Sequence, residues 1–388
     1  MTGSACWRIT TPRVTEREGW CEVRADVAGA PVWFRTQSGP LEALPEAFAA
    51  AFFLPALQHG ALLESEVPLA PEWLSSVNQL LPIFHQWWGL PRECPIAATP
   101  QSLPQTIAGG ETPPPALGQC FSGGVDSFYS LLRGLHDPQC LVFIRGFDVS
   151  LTDKRRFQAV ETSLQAIAQA TGKRAVIMHT NLREHPVFRQ SSWDRSHGAA
   201  LASVGLVLSA QFGNLVIPSS YPYRRGKPWG SHWDTDPHWS YPGRMQIIHD
   251  DATAVRYEKV AAIANEPLAQ HHLRVCWANR AATGNCSGCE KCLRTMVQLA
   301  LVDALPAFER VFDVQTPLHE LIDRLPVVPE LLLETWGELG ALAQDPGLQQ
   351  AIHRVMRRSG TSTGGRLLRI LHRTRRTLRR ATTKAGFS

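Results

Sequence analysis

The residues that most clearly suggest chemistry in this chain lie at 122–127, with the sequence Ser-Gly-Gly-Val-Asp-Ser, here called the glycine loop. They follow a short apolar run at 117–121, which predicts a buried strand, and precede apolar residues at helical spacing between 128 and 135. Paired glycines let a ligand approach the backbone, and the free N–H groups and dipole of a first helical turn favour an anion. We therefore expect a phosphate-binding loop between a strand and a helix.

Three side chains add to the chemistry of the glycine loop. Ser122 and Ser127 supply hydroxyl donors, and Asp126 supplies a carboxylate that could orient a metal ion or the loop itself. A simpler interpretation is a strand-to-helix turn in which Ser or Asp caps the helix. The loop is neither a Walker A motif nor a dinucleotide-binding fingerprint, because the chain contains no G-x-x-x-x-G-K-[ST] and no G-x-G-x-x-G.

The glycine loop resembles the SGGxDS signature of the PP-loop ATP pyrophosphatases, the N-type superfamily that includes asparagine synthetase, NAD synthetase and tRNA thiolation enzymes. The resemblance implies a parallel-sheet domain of the adenine nucleotide alpha hydrolase type that uses ATP and Mg²⁺. It also implies that ATP is cleaved between its α and β phosphates, and that AMP passes to a carboxylate or carbonyl oxygen before a nitrogen or sulfur nucleophile displaces it. The implied nucleotide-binding residues are Ser122, Gly123, Gly124, Val125, Asp126 and Ser127, with catalytic roles for Ser122, Asp126 and Ser127.

Four cysteines form a second group. Cys276 is followed by Cys286, Cys289 and Cys292, and the last three are spaced C-x2-C-x2-C. Four thiolates are the ligand set of a closed structural zinc site, and such a zinc ion could contribute on the order of 10 kcal/mol to local folding. A redox C-x-x-C pair and an iron–sulfur cluster are the alternatives. The remaining cysteines are scattered, and we expect them to be small core residues: Cys6, Cys21, Cys94, Cys120 and Cys140.

The combination of the two motifs resembles the 7-cyano-7-deazaguanine synthase (QueC) family. That family has a PP-loop near the start of its domain and a four-cysteine zinc knuckle near the end, and this chain also carries Arg294 two residues after the last cysteine. The resemblance covers residues 117–300 and implies that the four cysteines bind zinc. Residues 229–240 and about 115 N-terminal residues do not match the family. We therefore expect a QueC-like enzyme with a rebuilt substrate pocket.

Further candidate site residues follow the predicted strands. Phe147 and Asp148 follow a strand predicted at 141–146, where the superfamily packs adenine and ribose, although Asp148 could equally cap the next helix. Arg183 follows a strand predicted at 174–179 and could bind a phosphate or carboxylate, or could remain solvated.

The segment at 229–240 is dense in polar and aromatic groups, namely Ser231, His232, Asp234, Asp236, His238 and Trp239. Loops with such groups beside a rigid sheet often contact substrate, and we expect a catalytic role for His232. Magnesium ligation and a plain structural loop are the alternatives. An apolar, strand-like run ends further along the chain, and three residues there are also expected to face the site: His249, Asp250 and Asp251.

The order of the predicted elements indicates an α/β fold. Strands and helices alternate from residue 117 onward, which is typical of a parallel sheet covered by helices, with ligands at the carboxyl ends of the strands. The predicted domains are an α+β accessory domain at 1–100, a Pro/Gly-rich linker at 101–116, a PP-loop domain with its zinc knuckle at 117–300, a helical extension at 301–353 and an Arg-rich tail at 354–388.

The positive charge is concentrated at the end of the chain. Residues 354–388 carry ten arginines, one lysine and no acids, whereas the whole chain of 388 residues has a net charge of +5, so the rest is mildly acidic. The tail predicts a basic amphipathic helix that could bind nucleic acid, acidic lipid or an acidic partner, or else a disordered tail. With 44% hydrophobic residues, no apolar run long enough to span a bilayer and a polar N-terminus, we expect a globular, cytoplasmic protein.

These features lead to one functional hypothesis and two alternatives. We expect an ATP-dependent ligase that forms a C–N bond and releases AMP and pyrophosphate. Its substrates are a small-molecule carboxylate, which it adenylates, and ammonia or another amine. The alternatives are a PP-loop enzyme that transfers sulfur or modifies RNA, and a nucleotide-sensing interaction protein without catalytic activity. The chain could also form a homo-oligomer.

Overall fold

The computed structural model describes residues 5–97 and 116–360. The chain divides into two compact units, Met1–Lys259 and Val260–Ser388. The predicted linker, apart from Ala116, and the part of the predicted Arg-rich tail from residue 361 onward lie outside the described residues.

The described residues of the first unit contain a sheet of eleven strands. In chain order the strands are β1 (Cys6–Ile9), β2 (Arg13–Arg17), β3 (Trp20–Val27), β4 (Ala30–Thr36), β5 (Leu62–Ser65), β6 (Ile96–Ala97), β7 (Leu117–Cys120), β8 (Cys140–Arg145), β9 (Arg174–Thr180), β10 (Asn214–Ile217) and β11 (Gln246–His249). Across the sheet the order is β11-β10-β7-β8-β9-β4-β3-β1-β5-β6, and β2 pairs with β3. The neighbours from β11 to β9 are all parallel, which confirms the predicted α/β class with a mostly parallel sheet.

Helices lie between these strands and after the last of them. In chain order they are α1 (Pro45–His59), α2 (Pro71–Asn78), α3 (Leu80–Trp88), α4 (Val125–Arg133), α5 (Lys154–Thr171), α6 (Pro186–Gln190), α7 (Trp193–Val207) and α8 (Arg256–Ile263). Helix α5 shows why they form: its buried residues include Val160, Leu164 and Ile167, which share one face. Asp153 caps its N-terminus by accepting a hydrogen bond from the N–H of Arg156, and the left-handed Gly172 ends it.

The strands follow two different patterns. Strand β8 is apolar from Cys140 to Ile144 and buried throughout that run, as expected for a central parallel strand covered on both faces. In β3, buried and more exposed residues alternate, so that Cys21, Val23 and Ala25 point to the core.

The N-terminal residues share the sheet and core of the residues that follow. Strand β4 pairs with β9 in antiparallel register, with Phe34 opposite Thr180. Helix α1 packs against α7, and its Phe52 contacts the rings of His185 and Phe188. The predicted accessory domain at 1–100 therefore belongs to the same compact unit as residues 116–259, because its apolar surfaces are buried by later parts of the chain.

The second unit is helical. Its helices are α9 (Pro267–His272), α10 (Glu290–Ala300), α11 (Leu318–Asp323), α12 (Leu333–Leu342) and α13 (Pro346–Ser359). Both α11 and α12 pack against α13. Residues 354–359 of the predicted tail form the end of α13, because Arg354 pairs with Asp323 at 2.7 Å and Val355 is buried. Among the described residues, none of the helices combines the length and apolar character needed to cross a membrane.

Candidate functional site

The glycine loop joins the carboxyl end of β7 to the first turn of α4. Gly123 has a φ of +75°, a backbone conformation that residues with a side chain rarely adopt. Gly124 is the N-cap of α4. No side chain caps this helix, so the structure does not have the Ser or Asp cap of the simpler interpretation. The Oγ of Ser127 donates to the carbonyl of Gly124 at 3.0 Å. The first-turn N–H groups, which have no acceptor within the helix, can therefore bind an anion.

Two cations lie beside the carboxylate of the glycine loop. The Nζ of Lys259 lies 3.6 Å from Oδ1 of Asp126, and the guanidinium of Arg256 lies 3.5 Å from Oδ2. Lys259 is 1% exposed, and its ammonium donates to the carbonyl and the hydroxyl of Ser219 at 2.5 and 2.9 Å. The sequence analysis did not identify either cation. Their spacing on one face of α8 was the available signal, but it is common on solvated helices.

The glycine loop lies where the strand order reverses. After β7 the chain adds β8 and β9 on one side, and then returns to add β10 and β11 on the other. Ligands of open α/β sheets bind outside the carboxyl ends of the strands at such a switch point. Ser219, which holds Lys259, follows β10 on the other side of this point.

The two aspartates after β11 support this edge of the sheet. Asp250 is buried, and its carboxylate accepts a hydrogen bond from Ser130 of α4. The backbone carbonyl of Asp251 accepts a hydrogen bond from Ser219 at 2.6 Å. Asp250 and Asp251 therefore connect β11 to the helix of the glycine loop and to the end of β10.

The residues predicted after β8 and β9 lie together. Arg183 donates to the carbonyl of Phe147 at 2.6 Å, and its guanidinium stacks 4.4 Å from the centroid of Trp193. The ring of Phe147 lies 4.9 Å from Trp193. Arg183 is therefore held by an aromatic face and is not simply solvated, whereas Asp148 is exposed.

The segment at 229–240 divides into structural and site residues. The carbonyl of Trp239 accepts a hydrogen bond from Trp73, and the carbonyl of His238 accepts one from Ser76, so both residues anchor the segment to α2. Trp239 is fully buried, which makes it a core residue and not the expected substrate contact. Asp234 is exposed.

The other predicted residues of this segment form a buried cluster around Asp236. Its carboxylate accepts hydrogen bonds from the hydroxyl of Ser231 at 2.6 Å, from the backbone N–H of His232 at 3.2 Å and from Nδ1 of the His249 ring at 2.8 Å. Burial lowers the pKa of His232, although the carboxylate of Asp234 acts in the opposite direction. The predicted residues His232, Asp236 and His249 therefore lie together. Because the carboxylate of Asp236 already accepts three hydrogen bonds, it is a poor magnesium ligand.

The four predicted cysteine ligands of the second unit also lie together. The Sγ atoms of Cys276, Cys286, Cys289 and Cys292 are all within 4.8 Å of one another. Sulfurs bound tetrahedrally to zinc at about 2.3 Å are about 3.8 Å apart, and the Sγ atoms of Cys276 and Cys289 are 3.9 Å apart. Hydrogen bonds from the other three thiols, chiefly Cys286, hold the pKa of Cys276 below its usual range. This cysteine cluster could hold a metal ion such as zinc.

Asn285 positions the cysteine cluster, and the sequence analysis did not identify it. Its Oδ1 accepts hydrogen bonds from the N–H groups of Val275 and Cys276 at 2.8 and 3.0 Å. Its Nδ2 donates to the carbonyls of Leu273 and Val311 at 2.8 and 3.0 Å. One amide therefore fixes the segment that carries Cys276 to the loop that carries Cys286.

The two sites suit different chemistry. The edge of the sheet offers backbone N–H donors, a buried ammonium and a guanidinium, which suit an anionic phosphate chain. The cysteine cluster offers four sulfurs and no further position for a substrate, which suits a structural metal.

Comparison of the chain with protein-family models, with curated proteins and with solved structures finds no match in any of the three.

Proposed function

We propose that this chain is an ATP-dependent ligase of the PP-loop type, related to the QueC family, which adenylates a carboxylate and couples it to ammonia or an amine. The observation that carries the proposal is the pair of cations, Lys259 and Arg256, beside Asp126 at the start of α4. An N-terminal helical turn with two cations at a switch point suits a triphosphate better than a neutral ligand.

The proposed first step places ATP against the glycine loop. The N–H groups of the first turn of α4 and the hydroxyl of Ser122 bind the phosphates, while Lys259 and Arg256 stabilise the charge that develops on the departing pyrophosphate. The substrate carboxylate attacks the α-phosphate, pyrophosphate leaves, and an acyl adenylate forms. Oδ1 of Asp126 is buried and accepts no hydrogen bond, so it fits a Mg²⁺ ligand. Mg²⁺ would neutralise charge on the leaving pyrophosphate.

The protonation state of a thiol close to the glycine loop favours nitrogen over sulfur as the nucleophile. Cys120 ends β7 and is separated from the glycine loop by Phe121 alone. Burial, together with the charge of Asp236, raises the pKa of Cys120 to about 12, so the thiol remains protonated near neutral pH. Because the thiolate is the reactive form, Cys120 is a poor candidate for sulfur transfer.

The proposal is tested by identifying the products made from ATP. The full chain is incubated with Mg²⁺, ATP labelled at the α-phosphate, ammonium chloride and a panel of aromatic and aliphatic carboxylic acids. Hydroxylamine in a parallel reaction traps an acyl adenylate as a hydroxamate. We expect AMP, pyrophosphate and hydroxamate with at least one acid. Formation of ADP and phosphate, or of no nucleotide product with any acid, would contradict the proposal.

A further inference from the structure

Two buried imidazoles near the glycine loop each have one ring nitrogen without a hydrogen-bond partner. The side chain of His249 is 3% exposed, and that of His232 is 2% exposed. The Nε2 atoms of both are buried and make no hydrogen bond. Unsatisfied buried polar atoms are costly, so two of them in residues that both bond to Asp236 indicate a site that a ligand completes.

The hydrogen bonds of the other ring nitrogens decide which Nε2 accepts and which donates. Nδ1 of His249 lies 2.8 Å from the carboxylate of Asp236, which requires a donor, so the neutral ring has its proton on Nδ1 and a lone pair on Nε2. Nδ1 of His232 accepts from the N–H of Asp234 at 3.1 Å, so the proton of its neutral ring is on Nε2. The two rings thus offer one acceptor and one donor.

A structural histidine of the same chain looks different. His185 is also buried, but its Nε2 is bonded to the carbonyl of Val27 at 3.0 Å and its Nδ1 accepts from the N–H of Val187 at 3.2 Å. Both nitrogens of that core histidine are satisfied. The free Nε2 of His249 is therefore not a general feature of buried histidines in this protein.

The register of the sheet places His249 near the glycine loop. His249 is opposite Ile217 of β10. The pairing of β10 with β7 places Val216 opposite Gln119, so that Ile217 lies at the level of Cys120. His249 is therefore two strands from Cys120, at a distance of about 10 Å, and the glycine loop begins two residues after Cys120. The influence of the Asp236 charge on Cys120 is consistent with this closeness.

We propose that His249, oriented by Asp236, accepts the proton of the nitrogen nucleophile; this inference rests on the proposed ligase function. The nitrogen attacks the carbonyl carbon of the acyl adenylate, and the bond from that carbon to the AMP oxygen breaks, so that AMP leaves with the electron pair. Before the attack, Nε2 of His249 takes a proton from the ammonium ion, which frees the nitrogen lone pair, and Asp236 stabilises the imidazolium. This proton, and the second one that the nitrogen loses after the attack, pass to water. The Nε2–H of His232 donates a hydrogen bond to an oxygen of the reacting group and keeps its proton.

The test compares two nucleophiles in the full-length chain. Ammonia is largely protonated near neutral pH and needs a base, whereas hydroxylamine is largely neutral and does not. In H249Q we expect ammonia-dependent amide formation to fall by about 10²-fold or more, while hydroxamate formation stays within a few fold of wild type. H271Q, which changes an exposed histidine, is the control and should match wild type.

A second measurement does not depend on turnover. In the chain labelled with ¹⁵N-histidine, the resonances lost in H249Q identify His249, and we expect its neutral ring to carry the proton on Nδ1. D236N should move that proton to Nε2 and slow the ammonia reaction. A proton on Nε2 in the wild-type protein, or equal losses with both nucleophiles in H249Q, would overturn the inference. A wild-type protein that makes neither AMP nor hydroxamate would instead contradict the proposed function.

Discussion

The ammonium of Lys259 lies 3.6 Å from the carboxylate of Asp126, and Lys259 is almost completely buried. A buried cation is costly unless it is paired and hydrogen-bonded, and here Ser219 supplies the additional acceptors. This contact connects the helix of the glycine loop to the end of β10 and to α8. It therefore both positions the loop and keeps a positive charge beside the proposed phosphate site.

We expect Lys259→Met to weaken ATP binding by about 10- to 100-fold, because a charge-assisted contact of about 1.5–3 kcal/mol is lost and the charge of Asp126 is no longer balanced. The Kd for ATP with Mg²⁺ is measured by calorimetry. Lys173→Met is the control, since Lys173 pairs with the exposed Asp137. A folded Lys259→Met protein that binds ATP like the control would contradict this role.

The cysteine cluster is expected to bind one zinc ion per chain. Cys289→Ser removes one of four ligands, so we expect zinc to be lost on dialysis and the melting temperature of the second unit to fall. Zinc content is measured by mass spectrometry of the purified protein, and unfolding is followed by calorimetry with and without a chelator. Cys94→Ser, outside the cluster, is the control and should keep its zinc. Equal zinc content in both variants would refute the site.

Asn285→Asp is expected to destabilise the cysteine cluster although the size of the side chain hardly changes. The carboxylate keeps the acceptor for Val275 and Cys276 but loses the two donors to the carbonyls of Leu273 and Val311. Two partly buried carbonyls that lose their donors cost roughly 2 kcal/mol together. Support of this kind typically changes metal affinity by about 10- to 100-fold. A competition titration with a zinc chelator measures the change. An unaltered affinity would show that Asn285 does not position the ligands.

The features that depend on neighbouring residues were predictable from the sequence. The strand, glycine loop and helix around Ser122 follow from an apolar run, paired glycines and helical spacing, and the structure places them at 117–133. The spacing of the cysteines predicted their clustering, which the structure confirms. Strand and helix alternation likewise predicted the parallel part of the sheet.

The features that depend on distant residues were not predictable. The pairing of β4 with β9 joins residues about 145 positions apart, so the N-terminal strands gave no local sign that they extend the same sheet. The contact of Lys259 with Asp126 and that of His249 with Asp236 also depend on how separate elements pack. Local spacing contains no information about such pairings, which the burial of apolar surface decides.

His179 predicts a loss of stability in mild acid. Burial, together with Arg145 and Arg35 on the neighbouring strands, lowers the pKa of His179 from 6.5 to about 4. The unfolded chain therefore binds a proton below pH 6.5 that the folded chain does not, and the free energy of unfolding falls as the pH drops toward 4, by up to about 3 kcal/mol. His179→Gln should lose this part of the pH dependence. Urea unfolding at several pH values checks it, and identical pH slopes for both proteins would contradict it.

Gly198 allows α7 to approach the segment that carries His232 and Asp236. A Cβ at residue 198 would lie 2.0 Å from the carbonyl oxygen of Gly230, a contact with backbone that a rotamer change cannot relieve. We expect Gly198→Ala to lower the free energy of unfolding by about 1–3 kcal/mol, in spite of the better helix propensity of alanine. It should also displace the 229–240 segment and reduce amide formation.

Gly337→Ala in α12 is the matched control for Gly198→Ala, since its Cβ would meet nothing closer than Met356 at 3.6 Å. There the removal of a helical glycine should raise stability by roughly 0.5–1 kcal/mol. Urea unfolding of the two variants should therefore give changes of opposite sign. If Gly198→Ala is as stable as wild type, α7 and the 229–240 segment have room between them, and the close backbone contact does not position His232 and Asp236.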